Sequence, residues 1–187
     1  LSGPDQSMAV AQHSLHAVLL PNQQVLVTGG IDGTDSAVRV AQVFNPLNDE
    51  NREGLETNDP ATKDPIFATV GTMQEGRALA SATRLHQGHV LFAGGAGSPA
   101  ASSMEIYNYE TQQFEQVDID TTMTDGGRSQ HVGTLLGDGS VLLAGGVSDS
   151  STNAPVVSAD VIKIGSRSES GVWSASSLPV NGDMRAP

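Results

Sequence analysis

The feature that most constrains this chain is a glycine pair that closes a short apolar run, and it occurs three times. Val25-Leu26-Val27-Thr28 runs into Gly29-Gly30, Val90-Leu91-Phe92-Ala93 into Gly94-Gly95, and Val141-Leu142-Leu143-Ala144 into Gly145-Gly146. Self-similarity at a fixed distance marks a fold built from stacked copies of one supersecondary unit. From Gly29 to Gly94 is 65 residues and from Gly94 to Gly145 is 51.

The residues upstream keep the same register. Leu20, Leu85 and Leu136 stand nine residues before the first glycine of each pair. Ala17, Ala82 and Gly133 stand twelve before, and Gln12, Arg77 and Arg128 seventeen before. Between the two apolar runs of each unit lies a polar turn: Pro21-Asn22-Gln23-Gln24, His86-Gln87-Gly88-His89 and Gly137-Asp138-Gly139-Ser140. Two β-rich runs joined by such a turn form a hairpin.

A third run follows each glycine pair: Val40 to Phe44, Met104 to Tyr107, and Ala159 to Ile162. A fourth contains Ile66-Phe67, Phe114 or Val172-Trp173. The expectation is an all-β chain of three four-stranded antiparallel units, spanning roughly 12–72, 77–122 and 128–178, with 179–187 leading into a further repeat. The acidic stretch around Asn48 to Pro65 lengthens the first unit and reads as a surface insertion.

Composition narrows the function classes. A formal charge of −12 and a pI near 4.5 repel phosphate backbones, so no nucleic acid is expected as a partner. With no Cys, thiolate metal sites, disulfides and cysteine nucleophiles are excluded. No apolar run approaches the ~18 residues of a spanning helix. Few Lys and many Ser, Thr and Gly suit an extracellular or periplasmic setting.

The pattern resembles the kelch-repeat β-propeller family, including the central domain of galactose-oxidase-like proteins. The residues that carry the resemblance are the Arg register, the paired apolar runs, Gly-Gly, an aromatic before Asn (Phe44-Asn45, Tyr107-Asn108) and the late aromatics Phe114 and Trp173. Kelch repeats run about 50 residues. The first unit departs from the family in having Gln12 for Arg, and the third in having Ile162-Lys163-Ile164 for the aromatic-Asn pair. The resemblance implies one propeller segment. Propellers close with about 4–8 blades, so the ring would be completed by self-association or by further blades of the same parent protein.

Candidate binding residues follow from their place on the strand nearest the axis. Gln12, His16, Arg77, Arg128 and His131 are expected at one mouth of the channel. Arg77 and Arg128 either form part of a cationic ring that grips carboxylates through the guanidinium fork or tie down carbonyls of the adjoining blade. The histidines lack ligand spacing, so no metal and no cofactor is expected. The copper site of the galactose-oxidase family uses a Cys-linked Tyr, which a chain without Cys cannot make. The function expected is a binding or scaffolding module whose loops, Ile31 to Val38, Ala96 to Ser103 and Val147 to Val157, recognise a protein or glycan partner. The alternative is the propeller part of a carbohydrate-active enzyme.

Overall fold

A computed structural model describes residues 7–46, 67–96, 100–120, 123–148 and 154–180. The insertion around Asn48 to Pro65 lies outside the described residues, as do Ile66, 1–6, 181–187 and parts of three loops.

The first unit contains β1 (Gln12–His13), β2 (His16–Leu19), β3 (Val25–Thr28), β4 (Ile31–Asp32), β5 (Val40–Phe44) and β6 (Phe67–Thr72). The second contains β7 (Ser81–Arg84), β8 (Val90–Ala93), β9 (Met104–Asn108) and β10 (Gln113–Ile119). The third contains β11 (Arg128–Ser129), β12 (Val132–Leu135), β13 (Val141–Ala144), β14 (Val147–Ser148), β15 (Ala159–Arg167) and β16 (Trp173–Pro179).

The four main strands of each unit pair antiparallel in sequence order, β2-β3-β5-β6, β7-β8-β9-β10 and β12-β13-β15-β16, which makes three propeller blades. The short ribbons β1-β4 and β11-β14 extend the first and third blades at the end that carries the glycine pairs. The fourth strands of the last two blades also meet. β10 and β16 pair in parallel, Val117 opposite Trp173, and join both blades into one eight-stranded sheet.

Period-two alternation decides where the core lies. In β8, Val90 and Phe92 face the first blade while Leu91 and Ala93 face the third. Two separate cores result. One packs Leu26, Val43, Val90, Phe92 and Tyr107 between blades one and two. The other packs Leu91, Ile106, Val141, Leu143 and Ile162 between blades two and three.

The small residue on the innermost strand has a steric cause at Gly133. A Cβ there would lie 2.6 Å from Thr83 Oγ1 and 2.9 Å from Ser81 Oγ of the neighbouring blade. The late aromatics fill the wider space away from the axis. Phe114 packs its ring 5.8 Å from Phe92 and 5.2 Å from Tyr107, and Trp173 sits 5.6 Å from His89.

Candidate functional site: the mouth of the blades

Arg77 and Arg128 are fully buried, and each turns into its own blade. Arg77 donates to the carbonyls of Gly94, Ala100 and Ser103 at 2.9–3.0 Å and pairs with the Glu105 carboxylate at 3.0 Å. Arg128 donates to the carbonyl of Ser158 at 3.0 Å and pairs with Asp160. The expected cationic ring gripping a ligand is therefore corrected for these two residues. Their guanidinium groups are committed to internal acceptors, and the carbonyls they bind belong to their own blade, not the adjoining one. Burial lowers the Arg77 pKa, and the Glu105 charge and hydrogen bonds oppose that shift.

The carboxylates also receive backbone donors. Glu105 accepts from the N–H of Gln74 at 2.7 Å and Glu75 at 3.3 Å, and Asp160 from the N–H of Thr124 at 3.2 Å. Each ion pair thus fastens the chain entering its blade to the loop that follows the glycine pair. A buried ion pair adds little net stability, because desolvation offsets its attraction. Its effect here is geometric: it fixes where two segments cross.

The first blade keeps the two registers without charge. Gln42 lies opposite Val27 as Glu105 lies opposite Phe92 and Asp160 opposite Leu143. The first blade therefore carries glutamine in both registers, at Gln12 and Gln42. Gln42 Oε1 accepts from the N–H of Ala9 at 2.8 Å, the counterpart of the bonds to Glu105 and Asp160.

Two residues beyond the Arg register, each blade takes a left-handed turn at a residue that is not glycine: Ser14 at φ 55°, Leu79 at 57° and Gln130 at 57°. Such conformations are uncommon for non-glycine residues and persist only where the surroundings enforce them. Gln130 N–H donates to the Leu79 carbonyl at 2.7 Å, which links the turns of blades two and three. The exposed side chains brought to this end are His13, Ser14 and Gln130, with His13 Nδ1 and Ser14 Oγ 3.1 Å apart.

Of the expected site residues, His16 and His131 lie on or beside innermost strands, and Gln12 is half-buried in β1. His131 Nε2 is 2.9 Å from Ser81 Oγ across the seam between blades two and three. Burial, then the positive charge of Arg128 and that of His16, lower the His131 pKa to about 4. Burial alone lowers that of His16. Both shifts favour the neutral imidazole. A serine hydroxyl on a neutral imidazole has the contact of a nucleophile and its base. His131 Nδ1, however, has no hydrogen-bond partner among the described residues, so no third group orients the ring. Ser81 is itself buried. The contact ties two blades together.

A second polar cluster lies at the seam's other end. The Glu115 carboxylate accepts from Arg167 at 2.7 and 2.8 Å, from Trp173 Nε1 at 2.7 Å and from Asn108 at 3.1 Å. Burial would raise the Glu115 pKa, but these donors outweigh it and leave the group below its ordinary value.

The geometry defines this protein as part of a β-propeller. The solved structures it resembles are of the same kind. It matches "Structure of YjhT", a kelch-type fold, over 90% of its length with a TM-score of 0.59 and 11% identity, spanning 46% of that chain. It matches "Novel fungal alcohol oxidase with catalytic diversity among the AA5 family, in complex with copper" over 87% of its length with a TM-score of 0.52 and 11% identity, spanning 30% of that chain. The chain thus spans less than half of either structure, and at these identities the likeness is one of fold. No sequence family and no curated protein matches the chain.

The donor set does not fit a copper centre of the alcohol-oxidase kind. The sequence has no Cys, and its two tyrosines lie in or beside β9, with the Tyr107 ring packed in the core between blades one and two. Among the described residues no three His, Asp or Glu side chains gather as metal ligands.

Proposed function

We propose that this chain is part of a kelch-type propeller that acts as a binding module, presenting one polar mouth and its loops to a protein or glycan partner. The observation that supports this reading most directly is the division of labour at the glycine-pair end. Buried Arg77–Glu105 and Arg128–Asp160 pairs fasten the segments, while Ser14 and Gln130, at enforced left-handed positions, and His13 remain exposed. Backbone held out of its favoured conformation and side chains left in water suit recognition more than packing. The loop Ile31 to Val38 is likewise ordered from within: Asp32 Oδ1 accepts from Thr34 and Ser36 N–H at 2.8 and 3.1 Å. Gln12, His16 and His131 stand behind this surface and position it. An extracellular or periplasmic setting belongs to the same reading and rests on composition.

The reading is tested on arrays of neutral and acidic oligosaccharides and of displayed peptides, comparing the parent with His13→Ala/Gln130→Ala. The expected result is one ligand class bound by the parent and weakened at least tenfold in the variant, at unchanged melting temperature. Binding to no member of either array, or equal binding by both proteins, sinks it.

A second reading, the propeller part of a carbohydrate-active enzyme, draws on the buried Ser81–His131 contact. It requires that the parent turn over a glycoside or sugar alcohol and that His131→Asn abolish that turnover with the fold retained. A parent without turnover on such substrates removes this reading.

A further inference from the structure

The joint between consecutive blades is made with backbone. Gly30 N–H donates to the Arg77 carbonyl at 2.7 Å, and Gly95 N–H to the Arg128 carbonyl at 3.0 Å. The first glycine of each pair clears room for that carbonyl. A Cβ on Gly29 would lie 2.6 Å from the Arg77 oxygen, and one on Gly94 would collide with the Arg128 oxygen. Gly145 stands in the same register with φ 69°, against 73° and 66° for Gly29 and Gly94. A Cβ on Gly145 would meet nothing within 4 Å among the described residues. The third blade therefore holds one half of a joint.

The first blade holds the other half. Gln12 occupies the register of Arg77 and Arg128, whose carbonyls close the two joints already formed. The two outward blade faces match as well. On the first blade Leu19, Val25, Phe44 and Phe67 lie opposite one another across four strands and so share one face. On the third, Thr134, Leu142, Val161 and Leu178 do the same. Leu19 is 56% exposed, and Val132, on the outward face of β12, is 64% exposed. At the formed joints the corresponding rows are buried against each other except at the innermost residue, where Arg84 is exposed and Leu135 half-buried.

We propose that these two faces are an interface with a second copy of this chain. The third blade of each copy docks on the first blade of the other, with the Gln12 carbonyl seated over Gly145 and capped by Gly146 N–H. One two-fold axis makes both joints at once, as a self-complementary dimer requires. Two sets of three blades give six, within the usual range for a closed propeller. A pair of copies also matches the length of the propeller-type neighbour of which one copy spans 46%.

Light scattering on the full chain tests this. The expected mass is twice 19.3 kDa. Gly145→Ala should dissociate the dimer at least tenfold more readily. Gly126→Ala, at φ 75° with equally open surroundings, carries the same backbone strain away from the faces and should leave it intact. Val25→Lys and Leu142→Glu, at half-buried positions whose counterparts at the formed joints are buried against each other, should each give monomers. Their mixture should give dimers, because one joint is then unaltered and the other brings opposite charges together. A mass of 19.3 kDa at every concentration overturns the proposal, as does a dimer indifferent to all three face variants.

Discussion

Strands β8 and β13 are nearly the same sequence in two different surroundings. Val90-Leu91-Phe92-Ala93 is buried at every residue, because a blade lies on each side of it. Val141-Leu142-Leu143-Ala144 alternates, with Val141 and Leu143 buried against the second blade and Leu142 and Ala144 half-exposed on the outward face. A strand that is apolar at every position is the signature of a sheet covered on both faces. The third blade thus has the composition of an interior blade on a face that this single chain leaves open.

The same two blades agree in their ion pairs and differ from the first blade, which gives the largest expected effect. Arg77→Gln strands the buried Glu105 carboxylate and is expected to cost about 3–5 kcal/mol, read from the urea midpoint. Changing both partners, Arg77→Gln with Glu105→Gln, is expected to recover most of that loss, because the first blade carries glutamine in both registers at Gln12 and Gln42. A double variant no more stable than the single would show that the neutral blade works by a different arrangement.

Core substitutions probe the burial difference directly. Phe92→Ala removes a fully buried ring that packs on Phe114 and is expected to cost about 3–5 kcal/mol. Leu142→Ala, on the half-exposed side of β13, is expected to cost about 1 kcal/mol. If Leu142→Ala approaches the cost of Phe92→Ala, the outward face of the third blade is covered in solution, which the dimer requires at concentrations where it forms.

The blades themselves were legible in the sequence because their cause is local and repeated. Apolar runs, polar turns and glycine pairs at fixed spacing specify hairpins, and Phe67, Phe114 and Trp173 marked the fourth strands. The Arg register was legible too, but its partners were not. Glu105 and Asp160 stand 11 and 15 residues after the first glycine of their pairs, because the intervening loops differ in length. Only strand pairing aligns them with each other and with Gln42. The left-handed residues Ser14, Leu79 and Gln130 share a spacing but no residue type. A shape imposed by the meeting of two blades leaves no side-chain signature. The parallel β10–β16 contact was hidden for the same reason, since both strands read equally well as ordinary antiparallel edges.

His131 offers the subtlest comparison, between a group held at the seam and the same group in the unfolded chain. Its folded pKa is about 4, lowered by burial and then by Arg128 and His16, while an unfolded imidazole titrates near 6.5. As pH falls below about 6.5, the unfolded chain takes up a proton that folded His131 refuses, so stability declines. The decline ends near pH 4, where the folded form is protonated as well. Over that window His131 should cost on the order of 3 kcal/mol. His131→Asn should remove this part of the pH dependence and leave the part contributed by carboxylates and His16. The comparison is the difference between parent and variant urea midpoints at pH 7 and at pH 4.5. An identical difference at both would mean that the imidazole is protonated as readily in the folded seam as in water.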